Sequence, residues 1–188
     1  MKKALVVIDF INDIVDPQGK IPSCAAMVAN QGVIAKANTA IQWARKNRHP
    51  VIFVKVGFHS SYADQPKQSA IFGKAAEFGA LDLGGWGTDF HKDLDYRIDD
   101  LLVVKPRVNP FYNTTLDSVL RANRVEEVYF CGVSTSWAIQ SAVRDAHDRD
   151  YQAHLVIDAC AAHSADAHRL SLEMLERIAV FHTAESLC

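Results

Sequence analysis

Residues 128–146 read VYFCGVSTSWAIQSAVRDA. Val128 to Val133 is a continuous apolar run, the pattern of a strand covered on both faces, as in a parallel sheet. Ala138, Ile139, Ala142, Val143 and Ala146 then recur at helical spacing. The chain therefore passes straight from a buried strand into a helix that begins near Ser134 or Thr135. The same strand signature recurs at Ala4–Ile8, Val51–Val56, Leu101–Val104, Ala153–Ile157 and, more weakly, Ile178–Phe181. Helical periodicity fills most of the gaps: Val33, Ile34, Ala37, Ile41 and Ala44; Leu116, Val119 and Leu120; and Ala165–Glu176, with Ser164 as its N-cap. Strands alternating with helices predict an α/β fold, a three-layer αβα, Rossmann-like arrangement of six parallel strands with helices on both faces.

Two stretches break the rhythm. Asp13–Met27 contains Pro17, Gly19 and Pro22, and Phe58–Tyr96 contains five glycines among polar residues. The second is long for a loop in a compact domain, and loops of that length are often functional. There is no internal repeat, low-complexity tract or linker, so residues 1–188 read as one domain, a size that buries a sizeable core.

Composition narrows the function. Hydrophobic residues make up 49% and charged residues 22%, which excludes a disordered chain. A net charge of -2 leaves no basic excess for phosphate neutralisation, which argues against nucleic acid as the main partner. The apolar runs are too short to span a bilayer, and Asp9 interrupts the first one too early for a signal peptide. Cys24, Cys131, Cys160 and Cys188 form no C-x-x-C pair. The expectation is a cytoplasmic protein with reduced thiols and a small-molecule partner.

In open parallel sheets, ligands bind beyond the carboxyl ends of the strands. Asp9 follows the first strand, His59 the second, Lys105 the third, and Ser134-Thr135 opens the helix after the fourth. Singly, each has a plain structural reading, as a cap, a solvated lysine or a loop histidine. Together they bring a carboxylate, an ammonium and a helix N-terminus to one edge, a setting for an anion or a developing oxyanion.

Asp9 after ALVVI, Lys105 in VVKPRVNPFYNT, and YFCGVSTSWAIQSAVRDAHDRDY followed by LVIDACAAHS resemble the isochorismatase-like hydrolases, also called the cysteine hydrolase superfamily. The resemblance covers nearly the whole chain. It implies a six-stranded parallel sheet, homodimers or homotetramers, and a site built around Asp9 and Lys105. It also implies a cis peptide at Val133–Ser134 and substrate contacts from Val133, Ser134, Thr135, Trp137, His59, Arg107, Phe111 and Tyr112. The family's nucleophilic cysteine belongs six residues after the turn glycine, and that position is Ala138. The nicotinamidase branch carries an Asp-x-His metal pair after the second strand. Here the residues are Gly57, Phe58 and His59, so neither metal nor cofactor is expected.

An alanine methyl cannot attack a carbonyl, so the amidase route has no nucleophile here. The isochorismatase branch also lacks the cysteine. It cleaves a vinyl ether by acid catalysis, which would make Asp9 the proton donor and Arg107 the nearest basic candidate for a substrate carboxylate. Three readings stay open: a cysteine-independent hydrolase with Asp9 as general acid; an amide or carbamoyl cysteine hydrolase whose nucleophile is replaced by Ala138; and an inactive ligand-binding homologue. The first predicts a methyl-lined wall at position 138, and the second a thiol-sized hole facing Asp9 and Lys105. The third predicts a blocked pocket or a purely structural Asp9.

Overall fold

The computed structural model describes residues 1–188. Six parallel strands form one sheet: β1 (Lys2–Ile8), β2 (Val51–Val56), β3 (Leu101–Lys105), β4 (Val125–Val133), β5 (Gln152–Ala161) and β6 (Ala179–His182), in the order β3-β2-β1-β4-β5-β6. The helices are α1 (Asn12–Val15), α2 (Ala25–Asn30), α3 (Val33–Lys46), α4 (Ala75–Phe78), α5 (Leu116–Ala122), α6 (Gln140–Asp148) and α7 (Ala165–Glu173). The strand order reverses between β1 and β4. Right-handed crossovers then place α3 on one face and α5 and α6 on the other. No helix is long and apolar enough to cross a membrane.

Both faces of the central strands are covered, which is why they read as continuous apolar runs. Ala4 to Ile8 are fully buried, as are Val128 and Phe130. Tyr129 turns to the α3 side, with its ring 4.9 Å from that of Trp43. Ser164 caps α7 as predicted, its hydroxyl accepting from the Ala167 N–H at 3.2 Å. Boundaries differ where periodicity weakens. β5 runs to Ala161 through a register irregularity against β4, and β6 is shifted by one residue from the predicted run.

The strand-to-helix junction after β4 departs from a regular helix. Thr135–Ile139 form a π-helical turn before α6, and Val133–Ser134 is a cis peptide. Gly132 has φ +135, a conformation closed to side-chain-bearing residues, and a Cβ there would run into the Ile8 backbone. The glycine therefore lets β4 lie against the last residue of β1, where the strand order reverses.

Residues 58–96 form α4 and a series of turns, held by specific bonds. The buried Asp13 carboxylate accepts from Leu81 N–H at 2.7 Å and Lys20 N–H at 3.0 Å. Asn12 Nδ2 donates to Trp86 O at 2.9 Å, and Lys55 Nζ to Thr88 O at 3.0 Å. A second apolar cluster, including Ile11, Phe58, Phe72 and Leu81, packs this segment against β2.

On the α3 face, at the end of the sheet away from Asp9, His154 stacks on Tyr129 at 4.3 Å, and its Nδ1 lies 2.9 Å from His182 Nε2. Burial pushes both imidazoles below their ordinary value of 6.5, helped by His182 at His154 and by Lys3 at His182.

Two outcomes follow. Gly132→Ala should cost about 2 kcal/mol or more in urea unfolding, because it combines backbone strain with a clash. In the second, the folded protein favours neutral imidazoles, so their contribution is complete above the unfolded value near 6.5 and lost as pH falls below it. Urea unfolding from pH 7.5 to 5.5 should show this decline, and His154→Phe, which keeps the ring stack, should make it shallower.

Candidate active site

β1, β2 and β3 lie side by side, and their carboxyl ends build the floor of the site. Asp9, the residue after β1, adopts φ +58, a left-handed conformation that Asp and Asn tolerate better than other side-chain-bearing residues. Its Oδ1 accepts from Val56 N–H of β2 at 2.9 Å, and its Oδ2 lies 2.8 Å from Lys105 Nζ of β3. Both side chains are almost fully buried. The ammonium also donates to the carbonyls of Arg107 at 3.2 Å and Val108 at 3.0 Å. Its three N–H groups thus have three acceptors. Burial raises the Asp9 carboxyl above the ordinary carboxylate value, against the opposing pull of Lys105 and the Val56 N–H. The sequence alone left that balance undecided; here burial is the larger effect.

Asp9 and Lys105 line a cavity of about 120 Å³ with Ser134, Trp137 and Ala138, roughly the volume of four waters in the liquid. Ser134, just after β4, and the π turn bring Trp137 and Ala138 to the wall. Ile71, Phe72 and Leu81, from the 58–96 segment, form much of the rest. Ala138 lines the cavity together with Asp9 and Lys105.

The remaining expected contact residues divide. Arg107 and Tyr112 line an adjoining cleft of about 480 Å³, which shares Ile71, Phe72 and Val108 with the inner cavity. The Val133 side chain is buried in the core, so its part in the site is the backbone step into Ser134. Thr135 is fully buried, its Oγ1 2.8 Å from His168 Nδ1 of α7, and it braces the π turn without lining the cavity. Two assignments need correction. Phe111 is a core residue, packed on Tyr151 and beneath the Arg149 guanidinium, and does not reach the cavity. His59 is exposed and turns back on its own loop: its Nδ1 meets Ser61 Oγ at 2.8 Å, and its N–H donates to Asp64. Trp86, in the long segment, lines a different surface cleft.

Sequence reading missed the apolar walls and the His168 brace. Ile71, Phe72 and Leu81 lie in a stretch with no periodicity. No cysteine lines the cavity. Cys24 lies buried close to Ser134, its thiol pushed up by burial. Burial also raises the Cys131 thiol and holds Cys160 at about 12.

An isochorismatase domain model matches residues 3–186. Ureidoacrylate amidohydrolase RutB of Stutzerimonas stutzeri (strain A1501) is 29% identical over 192 residues, covering 95% of this chain and 75% of that protein. Among solved structures, an isochorismatase family protein from Desulfovibrio vulgaris has a TM-score of 0.87 at 22% identity, covering 99% of this chain and 96% of that one. N-carbamoylsarcosine amidase from Thermoplasma acidophilum has a TM-score of 0.78 at 25% identity, covering 98% of each chain. With a family model spanning nearly its full length, on the α/β sheet that carries Asp9 and Lys105, this chain belongs to the isochorismatase family of hydrolases.

Proposed function

We propose that the protein hydrolyses a small anionic metabolite without a covalent cysteine intermediate, using Asp9 as general acid. The observation that carries this reading is a buried carboxyl, raised toward its protonated form, lining a cavity that Ala138 also lines and no cysteine does. General-acid catalysis needs a carboxyl that holds its proton more tightly than usual, and burial shifts Asp9 in that direction.

The reaction that suits this arrangement is hydrolysis of a vinyl ether. The Asp9 proton goes to the terminal alkene carbon, and the ether oxygen's lone pair stabilises the resulting oxocarbenium ion. Water adds to the carbon that bears the ether oxygen, and the proton it loses restores the Asp9 carboxyl. The hemiketal then separates into an alcohol and a ketone. Lys105, with its donors committed to Asp9 and two carbonyls, orients the carboxyl and moderates its acidity. Trp137 and the apolar wall from 58–96 would line the space around the cation, and Ser134 would supply a polar contact. The setting is a cytoplasmic homodimer or homotetramer, a reading supported by the exposed apolar side chains Leu101, Leu102 and Val104 on edge strand β3.

A second reading rests on the likeness to an amidohydrolase and a carbamoyl amidase. A Cys at position 138 would place its sulfur in the cavity beside Asp9 and Lys105, where Asp9 would act as base toward the thiol.

The deciding experiment assays the parent, Asp9→Asn and Ala138→Cys on isochorismate, following pyruvate, and on nicotinamide and ureido amides, following ammonia. We expect pyruvate release by the parent, with kcat reduced about 10²- to 10⁴-fold in Asp9→Asn. Ammonia release confined to Ala138→Cys would establish the second reading instead. Silence in all assays would favour a ligand-binding homologue. The pH profile gives an independent check. A general acid works only while protonated, so kcat/KM should fall as pH rises through the raised Asp9 value. Lys105→Met removes the cation that lowers that value, so the falling limb should move to higher pH.

A further inference from the structure

The turn after β3 supplies the two carbonyls that hold Lys105, but its own main chain is unsupported. Residues 106–114 make no hydrogen bond between backbone groups. Side chains therefore set where the Arg107 and Val108 carbonyls lie. Asn109 ties this turn to the body of the fold. Its Oδ1 accepts from the Phe111 N–H at 2.7 Å, and its Nδ2 donates to Asp145 Oδ2 of α6 at 2.6 Å. The other oxygen of Asp145 accepts from Arg149 Nε at 2.5 Å, and Arg149 Nη1 lies 3.5 Å from Asp117 Oδ2 of α5. The remaining side-chain bonds of the turn reach no helix or strand. Thr114 Oγ1 donates to the Pro110 carbonyl within the segment, and Arg107 Nη1 reaches the Asp64 carbonyl of the irregular 58–96 stretch at 3.5 Å. Apart from Lys105 itself, Asp145 is the one polar anchor that a regular element gives to residues 106–110.

An ammonium has three donors. Lys105 has a partner for each only while both carbonyls stay in place, Val108 at 3.0 Å and Arg107 at 3.2 Å beside Asp9 at 2.8 Å. Val108 is joined directly to Asn109. Displacing Asn109 draws the Val108 carbonyl away and leaves a buried charged donor without a partner. That state is costly, and the flexible lysine side chain relieves it by moving. Its grip on the Asp9 carboxyl then changes as well.

We infer that Asn109 and Asp145 are positioning residues for the site: their hydrogen bond sets the turn whose carbonyls anchor Lys105, and through Lys105 it orients the Asp9 carboxyl. The anchoring of Lys105 rests on the bonds above. Its effect on turnover rests on the proposed function. Both residues line the outer cleft and neither lines the inner cavity, so they act on Asp9 through the turn and not by touching the reacting atoms. Arg149, held by Asp117, fixes the Asp145 carboxylate in turn, so α5 and α6 are both linked to the floor of the site.

The test reads Lys105 itself, in the full-length protein with no ligand added. Buried, hydrogen-bonded ammonium protons exchange slowly with water and give a ¹⁵N–¹H NMR signal. The parent should show one for Lys105, assigned by its absence in Lys105→Met. Asn109→Ala should lose that signal while the amide signals of the sheet stay in place. Asn109→Asp, which sets two carboxylates against each other, should lose it too. Combining Asn109→Asp with Asp145→Asn exchanges donor and acceptor, keeps an acceptor for Phe111 N–H and for Arg149, and should restore the signal. Thr114→Val, which removes only the bond within the segment, should leave it unchanged. On isochorismate, kcat for pyruvate release should fall roughly tenfold or more in Asn109→Asp, as small misplacements at a reacting centre cause, and recover in the exchanged pair. No protected Lys105 signal in the parent, an unchanged signal in Asn109→Ala, no recovery in the exchanged pair, or the same loss in Thr114→Val would each overturn the inference. So would loss of the signal in Asn109→Asp with kcat intact. A parent that releases no pyruvate but shows the expected ammonium pattern would support the anchoring of Lys105 and count against the proposed reaction alone.

Discussion

The buried pair of Asp9 and Lys105 is the constraint on which the site depends. The two residues leave strands that are not neighbours, because β2 lies between β1 and β3. Two interstrand spacings come to about 9.5 Å, and only a long side chain can close that gap on a carboxylate. Lysine does so at 2.8 Å, while β2 contributes the Val56 N–H to the other oxygen. Three strand ends are thereby tied at one point. Desolvating both charges is expensive, and the attraction between them offsets it only when the remaining hydrogen-bonding capacity is also met. The carbonyls of Arg107 and Val108 meet it for the ammonium, and this sets the course of the chain after β3.

That course has a consequence for binding. Turning two successive carbonyls onto Lys105 fixes the backbone of Arg107 and Val108, so one short segment serves both compartments. Val108 lines each of them, and Arg107 lines the outer cleft. The ammonium is fully used in holding the floor.

The sheet was legible from residue type alone because strands covered on both faces must be apolar throughout, and helices packed on them must carry their apolar positions at 3.6-residue spacing. Asp9 and Lys105 were legible because polar residues at the ends of such runs stand out, whereas Ala138 was singled out only through the family resemblance. What escaped was set by tertiary context. Phe111 and His59 occupy positions beside the site in the chain, but one is drawn into the core by Tyr151 and Arg149 and the other into its own loop by Ser61 and Asp64. The Thr135–His168 contact joins residues 33 apart, through a bond that no local pattern encodes. The cis step at Val133–Ser134 was anticipated through the family resemblance and could not have been read from propensity.

The wall of the cavity is the least patterned part of the chain, and the reason is physical. Residues 58–96 do not belong to the sheet, so no strand or helix period governs them. Their position comes from single attachments: Asp13 to the Leu81 N–H, Asn12 to the Trp86 carbonyl, Lys55 to the Thr88 carbonyl. Asp13 matters most, since its other oxygen holds Lys20 and so couples the 13–27 stretch to the long segment. Both irregular stretches supply the cavity, Ile21 and Ser23 from the first and Ile71, Phe72 and Leu81 from the second. The molecule thus keeps its reactive floor on a rigid parallel sheet and its selective walls on segments hung from a few buried polar groups. Side chains in those segments can change the shape offered to a substrate while Asp9 and Lys105 stay where the strand order puts them. A rigid floor under loop-built walls is how one fold serves different substrates.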